Sequence, residues 1–137
     1  MKILHLCCWP PYPESSGGRQ RTGAVLRHFR RRHQVQLVTF VSGPTERRLA
    51  EQDGAITLDY NYEGYDTSLP SSVNPFKSPQ LDSVLQSLST QGFDVTLFDH
   101  LYIAHCHSQS CGIPVLMEHN IESEVHAQVA SRGPERM

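Results

Sequence analysis

The first 39 residues alternate between apolar and loop-forming segments in an order that favours one architecture. Residues 2–8 are a short apolar run typical of a buried strand in a parallel sheet. The prolines that follow Trp9 end this strand, because proline lacks the backbone donor that a sheet requires. Residues 15–18 (SSGG) then supply capping hydroxyls and a backbone without β-carbons. This order predicts a strand, a glycine turn and a helix start, where bare N–H groups can meet an anion or a sugar.

The alternation continues along the rest of the chain. We expect helices over residues 17–32, 44–52 and 80–91, a short one near 103–104 and another from 120 onward. Further strands are expected over residues 34–41, 55–60, 94–98 and 113–117, with a long loop over 61–79. This pattern predicts a Rossmann-like α/β fold, a three-layer sandwich around a parallel sheet. Right-handed crossovers then give the strand order 3-2-1-4-5.

Composition narrows the class of protein. A length of 137 residues suits one domain, and a net charge of −2 argues against nucleic-acid binding. The basic cluster Arg30, Arg31 and Arg32 either offsets the dipole at the end of the first helix or meets phosphates at a membrane surface. No apolar run approaches the ~20 residues of a membrane span, and the start lacks a signal-peptide pattern. We therefore expect a cytoplasmic protein, at most peripheral to the membrane, with its four cysteines reduced.

Candidate site residues follow three of the predicted strands. Ligands of such sheets bind beyond the carboxyl ends of the strands, near the switch in strand order. His119 can bind a sugar hydroxyl or a phosphate oxygen or accept a proton there, or it can bond nearby backbone at a helix start. Asp99 either orients a ligand hydroxyl or caps the next helix, and Asn120 is expected to cap the last helix.

Two other chemistries are disfavoured. A metal site would use His105, Cys106, His107 and Cys111, but these residues lack a paired CxxC spacing. The glycine turn has neither the Lys-Ser/Thr of a P-loop nor a complete GxGxxG pattern, which argues against nucleotide hydrolysis and dinucleotide binding.

Two long segments of the chain resemble the N-terminal domain of family 4 glycosyltransferases of the GT-B fold. They are KILHLCCWPPYPESSGGRQRTGAVLRHFRRRHQVQLVTF and FDVTLFDHLYIAHCHSQSCGIPVLMEHNIESEV. The resemblance implies a retaining transferase of the hexosyltransferase type, which moves a sugar from a nucleotide-sugar donor to a glycan or lipid-linked acceptor. It implies no cofactor and no metal.

The resemblance also implies roles for particular residues. Gly17 and Gly18 would lie near the donor phosphates, and His119 would contact the transferred sugar as the catalytic candidate. Arg19 and Arg21 would meet an acceptor phosphate, and the remaining substrate-binding candidates are Asp99 and Asn120.

On this interpretation the chain is half of a GT-B fold. Residues 1–137 would form a single truncated N-terminal domain, with the nucleotide-binding C-terminal domain absent, and half a cleft should bind weakly and catalyse nothing measurable. Two alternatives stay open. One is a nucleotide-sugar 2-epimerase of the same fold, and the other is a non-catalytic α/β module whose arginine-rich helix docks a partner or a membrane.

Overall fold

A parallel sheet forms the centre of the molecule. The structure is a computed structural model that describes residues 1–119 together with Glu124, Ala127, Gln128 and Ser131. Its strands are β1 (Lys2–Cys7), β2 (Gln34–Val41), β3 (Ile56–Asp59), β4 (Val95–Asp99) and β5 (Ile113–Met117). Every pairing in this sheet is parallel, and the order is β3-β2-β1-β4-β5. The predicted Rossmann-like fold and strand order are confirmed.

The helices lie between the strands, as the alternation predicts. They are α1 (Gly17–Arg30), α2 (Pro44–Gln52) and α3 (Pro79–Leu88), with 3₁₀ segments over Asn74–Phe76 and Leu101–Gln109. The predicted bounds of β2, α2 and β5 are confirmed at both ends, whereas α1 ends at Arg30 rather than two residues later. The helix predicted from residue 120 onward, including Asn120, lies largely outside the described residues.

Alternating side chains of β1 separate two apolar layers. Leu4, Leu6 and Cys8 pack in the cluster that contains the buried leucines of α3. Cys7, by contrast, packs with Leu26 of α1 on the other face. Helices therefore cover both faces of the sheet, which is why its central strands are apolar almost throughout. Cys7 and Cys8 face opposite sides, as expected, and all four cysteines are free.

The register of the sheet brings the ends of β1 and β4 together. β1 is the central strand, paired with β2 on one side and β4 on the other. Cys7 lies opposite Asp99, and Asp99 in turn lies opposite Met117 of β5. The carboxyl ends of β1, β4 and β5 therefore form one edge, at the switch in strand order where ligands of this fold bind.

The long loop after β3 is held by one buried side chain. Asn74 donates through Nδ2 to the carbonyl oxygens of Asp66, Leu69 and Pro70. Its Oδ1 accepts from the backbone N–H of Asp66 at 2.7 Å. Because these bonds replace the hydrogen bonds that a helix or strand would make, the loop keeps a defined path despite its lack of periodic sequence.

Candidate functional site

Asp99 occupies the centre of the edge formed by β1, β4 and β5. Its side chain ends β4 and is buried, with a residue exposure of 3%. Oδ2 lies 3.1 Å from Nε2 of His5, and Oδ1 lies 2.5 Å from Nε2 of His119. The Cys7 thiol also approaches Oδ2, at 3.8 Å. The carboxylate thus links an imidazole of β1 to one that follows β5, and it does not serve as the cap of the next helix, which is His100.

These hydrogen bonds keep the Asp99 carboxylate charged. Burial by itself would raise the pKa of Asp99, because a buried charge loses its hydration. Hydrogen bonds from His5, His119 and Thr22 outweigh burial and lower its pKa from 3.8 to about 2. An ionised carboxylate only accepts hydrogen bonds, so the Nε2 atom of each imidazole carries the proton that it shares with Asp99.

His119 is the predicted residue that the structure places most clearly at the ligand-binding edge. With Nε2 bonded to Asp99, its other ring nitrogen, Nδ1, faces the start of α1. A β-carbon built on Gly18 would lie 3.9 Å from this Nδ1 and 3.6 Å from the indole nitrogen of Trp9. Gly18 and His119 therefore lie on the same edge of the sheet, as the sequence predicts. The alternative of a histidine bonded only to nearby backbone is wrong, because its ring bonds a buried carboxylate.

The start of α1 is suited to an anion. Ser16 is the N-cap, and its hydroxyl accepts from the N–H of Arg19 at 3.4 Å. The first turn of the helix contains no acidic side chain. The N–H groups of a first helical turn have no partner within the helix and carry the positive end of its dipole. A β-carbon at Gly17 would meet nothing within 4 Å, so the backbone there is open to a ligand.

His100 has a strained backbone beside this site. Its φ of 117° lies in a region that residues with a β-carbon rarely adopt, at a cost of roughly 1–3 kcal/mol. The ring is buried and packs edge-on against Trp9, with 5.3 Å between ring centres. It also lies 5.3 Å from the ring of His119 and 4.1 Å from that of Tyr102. Strained backbone of this kind is held in place by the surrounding structure and concentrates at functional sites.

Glu118 adds an acceptor next to His119. Its Oε1 accepts from the backbone N–H of His119 at 2.8 Å and lies 4.0 Å from Nε2 of His100. Its Oε2 is buried and has no hydrogen-bond partner among the residues that the structure describes. A buried carboxylate oxygen without a donor costs free energy, and a ligand hydroxyl would relieve that cost.

A metal ion would find one group of potential ligands in the described part of the chain. Atoms of His5, Cys7 and Asp99 lie within 4.8 Å of one another, at a place different from the disfavoured cluster near His105. The His5–Asp99 contact of 3.1 Å has the geometry of an ordinary hydrogen bond, and burial raises the pKa of the Cys7 thiol well above its ordinary value. Metal-bound imidazoles usually donate their second N–H to a partner, and Nδ1 of His5 has none among the described residues. These features favour a hydrogen-bonded cluster of His5, Cys7 and Asp99 over a metal-binding site.

Arg19 and Arg21, the two arginines predicted to meet an acceptor phosphate, differ in their surroundings. Arg19 donates to the carbonyl oxygens of Pro10 and Tyr12 and bonds Glu46 at 2.5 Å, so its guanidinium joins the proline loop to α2. Arg21 is exposed one turn into α1, close to the predicted phosphate position. Contact of either residue with an acceptor phosphate stays a prediction.

The structure does not bring the basic cluster at residues 30–32 to this site. The cluster spans the end of α1 and precedes β2, so it lies at the amino edge of the sheet, opposite the edge that holds His119. Arg30 bonds Asp53 at 2.5 Å, whereas Arg31 and Arg32 are exposed. Within the described residues, no helix has the length and apolar character needed to cross a bilayer. Peripheral membrane contact through this cluster stays a prediction.

A cavity of about 240 Å³ lies in the loop after β3 and is separate from the site. Its lining includes Tyr62, Tyr65 and Asn74 but none of the residues around Asp99.

Sequence reasoning missed several residues of the site. His5, Trp9 and Thr22 were not among the candidates, although each contacts Asp99 or lies against Gly18. One signal was available for His5, because it interrupts the apolar run of the first strand. Buried polar groups are hydrogen-bonded in folded proteins, so such an interruption indicates a polar partner in the core.

The fold is a Rossmann-like α/β domain, and its candidate ligand-binding edge is built from a helix start and an imidazole held by a carboxylate. Comparisons with family models, with curated proteins and with solved structures found no match.

Proposed function

We propose that this chain is the acceptor-side domain of a retaining glycosyltransferase, and that a sugar phosphate binds between the start of α1 and His119. The closeness of Gly18 to His119 supports this proposal most, because a β-carbon on Gly18 would lie 3.9 Å from Nδ1 of His119. Helix N–H groups suit phosphate oxygens, and an imidazole nitrogen suits a sugar hydroxyl. A nucleotide sugar carries both groups a few bonds apart, so one ligand can satisfy both sides of the gap.

Each site residue has a role in this proposal. The N–H groups near Gly17 and Gly18 meet the donor phosphates, where no β-carbon obstructs them. His119 contacts a hydroxyl of the transferred sugar through Nδ1, because Nε2 is committed to Asp99. The buried Oε2 of Glu118, which has no partner among the described residues, accepts from a second hydroxyl. The exposed guanidinium of Arg21 adds positive charge beside the phosphates.

The reaction proposed for the complete enzyme is transfer of the sugar from its nucleotide to a hydroxyl of a glycan or lipid-linked acceptor. A second domain would hold the nucleotide, and closure of the two domains would exclude water and position the reactants. In this proposal the residues described here bind and orient the sugar, and the reaction uses no metal ion. The expected setting is the cytoplasm, which agrees with four free cysteines.

Binding to the chain by itself tests this proposal. Isothermal titration would compare inorganic phosphate, glucose, glucose 1-phosphate and UDP-glucose as probes. We expect the probes that combine sugar and phosphate to bind, in the millimolar range, and His119→Ala to weaken them about tenfold by removing one hydrogen bond.

His28→Ala is the matched control, because His28 is an exposed histidine on α1 that lies away from Asp99. It should bind as the unmodified chain does. Equal affinity of the His119→Ala variant, with folding intact, would remove the imidazole from the site. No binding of any sugar phosphate would contradict the proposed function.

A further inference from the structure

A histidine lies buried in the middle of the central strand. His5 has no exposed surface, and it points to the same face of β1 as Cys7, which packs with Leu26 and Leu37. Burying an imidazole in such surroundings costs free energy unless its polar atoms are hydrogen-bonded. Nε2 is bonded to Asp99, but Nδ1 is buried without a hydrogen-bond partner among the described residues.

Stability of the sheet does not explain this imidazole. A buried nitrogen without a partner costs roughly 1–3 kcal/mol, and a leucine at this position would avoid that cost. The unpartnered Nδ1 also favours a ring with a single proton, since a second N–H would be a buried donor without an acceptor. That single proton lies on Nε2, where it is donated to Asp99.

We propose that His5 is a positioning residue, which holds the Asp99 carboxylate so that His119 keeps its proton on Nε2 and presents Nδ1 to the ligand. The two imidazoles bind different oxygens of the same carboxylate, Oδ2 for His5 and Oδ1 for His119. A carboxylate anchored at one oxygen has its other oxygen fixed in direction. His5 thereby sets the ring orientation and the tautomer of His119 from the opposite side of Asp99.

The tautomer of His119 determines whether its Nδ1 accepts a hydrogen bond from a ligand or donates one to it. With the proton on Nε2, a neutral His119 offers Nδ1 as an acceptor, so it selects a ligand that donates a hydroxyl at this point. With the proton on Nδ1, His119 would instead present an N–H donor there, and a ligand hydroxyl that points its own hydrogen at Nδ1 would be repelled. The ligand itself is the sugar phosphate of the proposed function, on which this part of the inference rests.

Imidazole nitrogen NMR on the ligand-free chain of 137 residues tests the positioning role directly. The ¹⁵N shifts of both rings report which nitrogen carries the proton. The unmodified chain should show both His5 and His119 with the proton on Nε2, and this result needs no variant. A proton on Nδ1 of His5 would overturn the proposal.

Two substitutions at residue 5 distinguish the loss of the hydrogen-bond donor from a change in core packing. His5→Leu removes the donor, and we expect the preference of His119 for the Nε2 proton to fall at least about tenfold, as expected for the loss of a charge-assisted bond. His5→Gln keeps an amide donor directed at Asp99 and should restore the tautomer of the unmodified chain. A His119 tautomer that is unchanged in His5→Leu would overturn the proposal, as would a His5→Gln variant that behaves like His5→Leu.

Thr39→Val is the matched control for disturbance of the buried sheet. Thr39 is fully buried on β2, opposite Cys7, and its hydroxyl bonds the carbonyl of Phe40. This variant should leave the His119 tautomer unchanged. A shift equal to that of His5→Leu would show that any buried change alters the ring and would overturn the proposal.

Titration with glucose 1-phosphate then separates this inference from the proposed function. If His5→Leu changes the tautomer and lowers glucose 1-phosphate affinity about as much as His119→Ala does, the positioning role and the ligand are both supported. If the tautomer responds but no variant or unmodified chain binds the probe, the proposed ligand is wrong and the positioning role of His5 stands.

Discussion

Asp99 and His119 share a hydrogen bond of 2.5 Å, although Asp99 ends β4 and His119 lies two residues after the end of β5. The bond joins a fully charged, buried carboxylate to a ring at the surface edge of the sheet. It fixes one ring nitrogen and leaves the other facing Gly18. The site therefore has a rigid inner part, made of Asp99 and His5, and a ligand-facing part, made of His119 and the start of α1.

Acid stability should depend on Asp99. Its pKa is lowered from 3.8 to about 2, so the folded state favours the ionised carboxylate. This stabilisation is complete above 3.8 and is lost as the pH falls toward 2. We expect Asp99→Asn to lower the free energy of unfolding at pH 6 by roughly 2 kcal/mol, with the difference disappearing near pH 2. Urea unfolding at a series of pH values measures both quantities.

Asp94→Asn is the control for this experiment, because Asp94 is an exposed carboxylate just before β4. It removes the same charge without removing the two imidazole contacts, and it should keep the acid dependence of the unmodified chain. A constant stability difference between Asp99→Asn and the unmodified chain from pH 6 to pH 2 would contradict the assignment.

Gly18→Ala should weaken ligand binding without weakening the fold. The new β-carbon makes only ordinary contacts, 3.6 Å from Trp9 and 3.9 Å from His119, so no strain is expected. It does fill part of the gap where a ligand would enter. Gly17→Ala is the matched control, since its β-carbon meets nothing within 4 Å, and its effect on affinity should be smaller. If calorimetry gave equal affinities for both variants and the unmodified chain, the ligand would not pass between Gly18 and His119.

Substitution of Arg19 should affect stability, whereas substitution of Arg21 should affect ligand binding. Arg19→Met removes bonds to Pro10, Tyr12 and Glu46, and we expect a loss of roughly 2 kcal/mol in unfolding free energy. Arg21→Met removes an exposed side chain and should leave the melting temperature within a degree or so while reducing affinity for glucose 1-phosphate. The reverse result, with Arg21 important for folding and Arg19 dispensable, would contradict these assignments.

Metal removal should change nothing. His5, Cys7 and Asp99 are close enough to bind an ion, but His5 and Asp99 are joined by an ordinary hydrogen bond of 3.1 Å, and the thiol is held protonated by burial. Dialysis against EDTA should leave the melting temperature and the affinity for glucose 1-phosphate unchanged, and added Co²⁺ should produce no thiolate absorption band. A cobalt–thiolate band that disappears in Cys7→Ser would reveal a metal site.

The architecture could be predicted from the sequence because its signals are local. Proline starts α2 at Pro44, and Gly112 precedes β5 at a φ of +88° that favours glycine. Element bounds were less certain where no such residue stops the helix. The end of α1 is one example, because arginines are good helix formers and give no stop signal.

The site was only partly predictable because its contacts join distant strands. Gly18 and His119 could be placed on one edge from strand order alone, since carboxyl ends of parallel strands share an edge. The contact of His5 with Asp99 depends on register, and a shift of one residue would turn His5 to the other face. Sequence alone does not fix that register, so the inner part of the site required the structure.

The most direct test of the central claim is a titration of the labelled chain with UDP-glucose, followed by NMR at two atoms. We expect the backbone amide of Gly18 and the Nδ1 of His119 to shift together along one saturable curve. Shifts confined to the cavity around Tyr62 and Tyr65, or a response at only one of the two atoms, would contradict a shared ligand-binding edge.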